Sequence, residues 1–208
     1  MSKRRLDAEC IRDAMLAASG TLDLHAPLGS IVAQAGDGPI GGPRFRGISE
    51  ESIVKAGGNQ RSVYLPVPRD VLPDALAAFD FAENSLVTGA RDTTNVPSQA
   101  LYLLNSAFVT TQAQKLADRV LAAFPGGPTG GVAANLDQRI AHAYWLTLAR
   151  APDAGERQAA ANFFGKFPSN WSRGDTSAPT FKDAEDVKAA WTSFCRALFA
   201  SAEFRFLN

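Results

Sequence analysis

The pattern that most constrains this chain lies near its C-terminus. Val187, Ala190, Trp191, Phe194, Cys195, Leu198 and Phe199 recur at helical spacing and form a wide apolar face. Such a face must be covered by other helices. A bilayer is not the alternative, because no apolar run in the chain approaches the roughly 20 residues that a spanning helix needs.

The rest of the chain offers the helices required. Leu6, Cys10, Ile11, Ala14, Met15 and Ala18 define a helix over residues 4–19, with Gly20 as its stop. A short helix over residues 71–79 is expected, capped by Asp70 with Pro73 in its first turn, and another over residues 49–56. Pro97 opens a helix carrying Ala100, Leu101, Leu103, Leu104 and Phe108, which continues to Phe124 with a bend near Asn105 and Ser106. Asn135 with Gln138, and Asp153 with Glu156, have capping-box spacing ahead of two further apolar patterns. Asp183 is placed to cap the last helix. The expectation is a mainly α, multi-helix domain, orthogonal or bundle-like, over residues 1–208, with a possible subdivision near 125–134. One short extended segment is expected at residues 61–67, where Pro66 and Pro68 permit only an edge strand or a polyproline-like run. Long loops should cover residues 29–47, 84–95 and 168–179, the last pinned by Trp171. Phe79 and Phe81 flank Asp80, a pattern that plugs two rings into a core.

Several function classes are disfavoured at this level. The formal net charge is +0, so nothing in the balance draws the chain to nucleic acid or to an anionic membrane. Cys10 and Cys195 read as small hydrophobes packed on helix faces, with a disulfide between them as the alternative that the sequence leaves open. No C-x-x-C-H run exists for haem attachment, and no cofactor is expected in this chain. His25 and His142 are isolated, whereas a metal needs three or four convergent ligands. The glycine-rich run at 36–47 lacks the strand and Lys-Ser/Thr of a phosphate loop, and no strained serine elbow is present. Residues 173–175 spell RGD by chance. The first ten residues contain no apolar h-region, so the chain shows no signal peptide.

One polar constellation stands out: Tyr64, Arg69, Arg91, Asp92, Thr93, Thr94, Asn95, Gln99 and Asn105. Guanidinium and amide groups between proline-bounded segments suit a carboxylate or a sugar. The plainer account is that they satisfy the backbone of their own loop. On that account Arg91 is buried and bonded to loop carbonyls or to a carboxylate, orienting the start of the Pro97 helix. A carbohydrate-active enzyme using residues 84–99 is the competing reading, with Asp80 and Asp92 as its nearest carboxylates.

The segments VYLPVPR (63–69), FDF (79–81) and SLVTGARDTTNVPSQALYLLNSAFV (85–109) resemble the domain of unknown function 1553 family, found at the C-terminal end of planctomycete cytochrome-type multidomain proteins. The resemblance extends to RRLDAECIRDAMLAASGTLDL, RIAHAYWLTLARAPDAGE and SFCRALFASAEFRFLN, nearly the whole chain. It departs in AENSLVTGA, which lacks the proline expected soon after FDF. With no catalytic motif in the chain, the favoured role is a non-catalytic module; the resemblance implies its context, the C-terminal end of a larger exported protein in the periplasm or at the cell surface. The implied partners are the other domains of that protein, with polysaccharide or protein as further binding partners.

Overall fold

A computed structural model describes residues 4–29, 58–67, 72–82, 87, 89–125, 135–167 and 184–207. The expected helix at 49–56, the cap residue Asp183, and Trp171 lie outside these residues, as do Arg69 and the segment 126–134, while the helix expected over 71–79 is confined to Asp74–Ala77, with Pro73 rather than Asp70 as its N-cap. The elements are β1 (Arg4–Arg5), α1 (Ala8–Ser19), a 3-10 turn (Ser62–Tyr64), α2 (Asp74–Ala77), α3 (Pro97–Asn105), α4 (Ala107–Ala123), α5 (Leu136–Leu148), α6 (Ala154–Lys166), α7 (Ala184–Ala200), α8 (Ala202–Arg205) and β2 (Phe206–Leu207). The fold is mainly helical. Its contacts divide it into two compact units, one of residues 1–17, 21–102 and 205–208, the other of 18–20 and 103–204.

In the first unit the apolar positions Ala8, Ile11, Met15 and Leu16 bury one side of α1. Leu65, Leu76 and Phe79 complete the buried set, with Phe79 meeting Tyr102 edge-on at 5.8 Å. The helix begins four residues later than its pattern suggests. Arg4 and Arg5 are instead extended and pair antiparallel with Leu207 and Phe206, and Leu6 N–H bonds Arg205 O at 2.8 Å. At the other end Gly20 takes φ +77, and Thr21 N–H reaches back to Leu16 O at 2.9 Å, a Schellman closure that releases the chain. Arg12 fixes the segment that follows α1 in space. It donates to Gly58 O and Gln60 O, both at 2.9 Å, while Asp13 accepts from the N–H and the hydroxyl of Ser62. These bonds draw residues 62–64 into a 3-10 turn, in place of the extended run expected from their β-branched and aromatic content.

In the second unit α4 packs along α7 and against α5, and α5 also meets α6 and α7. Val109, Ala113, Leu116, Ala117 and Val120 make the buried stripe of α4, and its two alanines let a neighbouring helix approach closely. The α7 face anticipated from the sequence is buried at Ala190, Trp191, Phe194, Cys195, Leu198 and Phe199. Its aromatic members form a cluster with α6: Phe164 lies 4.4 Å from Trp191 and 5.2 Å from Phe194, centre to centre. The expected bend before α4 is a full break, with Ser106 extended as the N-cap.

Three local expectations are corrected. The capping box at Asp153 and Glu156 forms, but the one at Asn135 and Gln138 does not. Asn135 sits in the left-handed region at φ +57, and its side chain donates to Pro125 O instead of capping α5. Cys10 is exposed rather than packed, because it lies on the side of α1 away from Ile11 and Met15; Cys195 is buried, and both thiols are free. Of the FDF rings, Phe79 is buried while Phe81 is only half-buried, beneath Arg91.

Candidate functional site

Side chains alternate along an extended chain, so adjacent arginines in β1 face opposite ways. Arg4 is exposed and Arg5 is buried. A buried guanidinium must find acceptors for its donors. Arg5 Nη2 donates to Asp80 Oδ2 at 2.6 Å and to Phe79 O at 3.2 Å, and Nη1 donates to Thr94 O. Asp80 is held at φ +57, a conformation aspartate tolerates better than most residues. Its carboxylate then accepts the Thr94 N–H at 2.8 Å and the Thr94 hydroxyl at 2.8 and 2.9 Å. Burial pushes the Asp80 carboxyl up, but the Thr94 N–H, Arg5 and the Thr94 hydroxyl outweigh it and hold the group below the usual carboxylate range. Gln99, buried in the first turn of α3, donates from Nε2 to Thr94 O at 3.2 Å. Thr94 is thereby tied to β1, to the loop after α2 and to α3.

Arg91 lies outside this knot. Its Nη1 and Nη2 donate to the two oxygens of Glu9, in the first turn of α1, at 2.7 and 2.8 Å. The guanidinium also sits 5.1 Å from the centre of the Phe81 ring. Burial raises the Glu9 carboxyl, and the Arg91 hydrogen bond overcomes it, leaving the group lowered. The carboxylate partner expected for Arg91 is therefore present, but its burial is not: the side chain keeps 38% of its exposure, and Arg5 occupies the interior instead.

Between β1, the start of α1 and the loop of residues 91–93 lies a cavity of about 400 Å³. Arg4, Asp7, Ala8, Arg91, Asp92 and Thr93 line it together with Phe79 and the Arg5–Asp80 pair. Of the constellation marked in the sequence, Arg91, Asp92 and Thr93 line this cavity. Thr94 and Gln99 hold its loop, and Asn95 is exposed in the same loop. Tyr64 lies on the 3-10 turn, outside the lining, and Asn105 ends α3 in the second unit.

Arg4, Arg5 and Glu9 were not among the marked residues. The only trace of them in the sequence is a pair of arginines before an acidic helix start, which reads equally well as a solvated terminus. Elsewhere, Phe124 packs on the edge of His142 at 5.5 Å, and burial, then Arg119, lowers that imidazole. His25 is exposed beside Asp23. Among the described residues no three His, Cys, Asp or Glu side chains are arranged to hold a metal ion, and no helix is long and apolar enough to cross a membrane.

No curated protein and no solved structure matches the chain. The family described as "Protein of unknown function (DUF1553)" matches residues 1–164, so the chain belongs to that family.

Proposed function

We propose that this chain is a non-catalytic helical module of a larger exported protein, with a structural or interaction role toward neighbouring domains, protein or polysaccharide. The observation that carries the reading is the commitment of Asp80. A carboxylic acid that protonates a leaving group needs a raised pKa and a free face toward substrate. Asp80 has the opposite: its oxygens are taken by Arg5 and Thr94, and its carboxyl is held low. Of the two carboxylates an enzyme would recruit from this region, one is thus part of the scaffold. The fork between Arg91 and Glu9 works in the same sense, joining the loop to α1. The exported setting rests on the sequence resemblance alone.

The test is to incubate the purified chain with a panel of chromogenic glycosides and esters, and to measure its retention on polysaccharide and on the other domains of its parent protein. Retention without turnover is the expected outcome. Turnover that disappears in Asp92→Asn would establish the enzyme instead. Fractionation of cells carrying the full-length protein checks the compartment, where recovery in the cytoplasm would contradict export.

A further inference from the structure

We propose that residues 89–93 are a strap that closes one side of the cavity beside β1, hinged at Thr94 and held shut by Arg91. The proposal stands apart from the module reading and rests on how unequally this segment is fixed along its length. Gly89, Ala90, Arg91, Asp92 and Thr93 are all exposed, and among the described residues their backbone makes no hydrogen bond. A side chain built onto Gly89 would meet nothing within 4 Å, so packing does not hold that end. What attaches the segment is the Arg91 side chain, through its fork on Glu9 and its place over the Phe81 ring. Water reaches both contacts, since Arg91 is exposed and Phe81 only half-buried. One residue further on the footing changes. Thr94 gives its N–H and its hydroxyl to Asp80, and its carbonyl accepts from Arg5 and Gln99, both buried. A backbone tied by one solvent-exposed side chain opens at lower cost than one tied into a buried network. Arg91, Asp92 and Thr93 line the cavity together with Ala8 and Phe79, which are buried. Release of Arg91 therefore opens the cavity to water along this side while the Thr94 knot stays closed.

Backbone ¹⁵N relaxation of the full chain tests this, with native circular dichroism checked for each variant. At about 0.05 M salt the wild-type amides of residues 89–93 should be nearly as ordered as those of α3, with order parameters of about 0.8. In Arg91→Gln they should fall below about 0.6, while Thr94 and α3 keep their order. Glu9→Gln, which leaves the guanidinium over Phe81, should move them only part of the way. Raising the salt to about 1 M should loosen the wild-type strap in the same direction, and that arm needs no variant. The Ala8 methyl and the Phe79 ring should report the opening as new line broadening in Arg91→Gln. Four results would overturn the proposal: a strap already fully mobile in the wild type, unchanged order in both variants, loosening of Thr94 and α3 along with it, or a loosened strap with Ala8 and Phe79 unaffected.

Discussion

Arg5 and Asp80 meet at 2.6 Å across 75 residues of sequence, and the Thr94 backbone is bonded to both of them. The Arg5 side chain keeps only 4% of its exposure, so removing its partner would strand a charge in the interior. Arg5→Ala should destabilise the fold by about 3 kcal/mol, the range for breaking a buried pair. Asp80→Asn, which keeps the left-handed conformation but leaves the buried Arg5 guanidinium without its counter-charge, should cost a similar amount. A double-mutant cycle by urea unfolding measures the coupling. Additive losses within about 0.5 kcal/mol would show that the pair is not a pair in energy.

Arg91 should behave differently, because water reaches it. Its two bonds to Glu9 and its place over Phe81 give Arg91→Ala a cost of about 1 kcal/mol. That is below what a buried scaffold arginine would cost. The loss should shrink between about 0.05 and 1 M salt, as screening removes the ionic part. A cost of about 3 kcal/mol that is independent of salt would mean that the loop buries Arg91 in solution.

The helical pattern was legible where apolar residues recur, as in α4, α6 and α7, because burial against other helices alone explains those positions. The site was harder to read for a physical reason. Which of Arg4 and Arg5 faces inward depends on a two-residue strand whose partner is at Phe206–Leu207, some 200 residues away, and no local signal announces such pairing. Asn135 shows a second limit. Its spacing to Gln138 is that of a capping box, yet the backbone arrives in a left-handed turn that points the side chain back to Pro125. Asp153 and Glu156 have the same spacing but an extended N-cap, and there the box closes.

Stability should fall on the acid side. The Asp80, Glu9 and Glu156 carboxyls are all lowered in the fold, so the unfolded chain takes up protons first. Their contribution is fully present above the unfolded values of about 4 and is lost as pH falls through the lower folded values. His142, lowered by burial and Arg119, acts in the same direction beginning below about 6.5, where the unfolded imidazole gains its proton. The melting temperature should therefore be nearly level from about pH 7 to 8 and decline below about 6, most steeply under 4. In Asp80→Asn the lowest segment should flatten. A melting temperature that rises on acidification to pH 4 would contradict these shifts.

Arg150 gathers two carboxylates at once. It donates to both oxygens of Glu156 at 2.6 and 2.7 Å and to both oxygens of Glu203 at 2.6 Å, with its guanidinium 5.6 Å from the Tyr144 ring. Glu156 in turn accepts the Asp153 N–H of the capping box, so one side chain closes the start of α6 onto α8. The group is about one-third exposed, which limits the energy to about 1–2 kcal/mol for Arg150→Ala. Lysine keeps the charge but not the fork, so Arg150→Lys should recover less than half of the loss. Full recovery by lysine would show that charge alone holds the clasp.

Beside that clasp, Ala149 ends α5 at φ +55 and ψ +28, in the left-handed region that helix ends usually give to glycine. An alanine there carries a strain of about 1–2 kcal/mol from its Cβ. Glycine would remove the strain but adds freedom to the unfolded chain, at a cost of about 0.5–1 kcal/mol. The difference favours the substitution by about 0.5 kcal/mol. For a chain of this size that is a rise of about 1–2 °C in melting temperature. The turn is already fixed by Arg150, whose bonds to Glu156 and Glu203 fall immediately after it, so glycine should not loosen the junction. Ala149→Val, with a branched side chain in the same conformation, should move the melting temperature the other way. Differential scanning calorimetry of the two variants decides the matter. A lower melting temperature for Ala149→Gly would mean that the left-handed turn is not the conformation the chain adopts between α5 and α6.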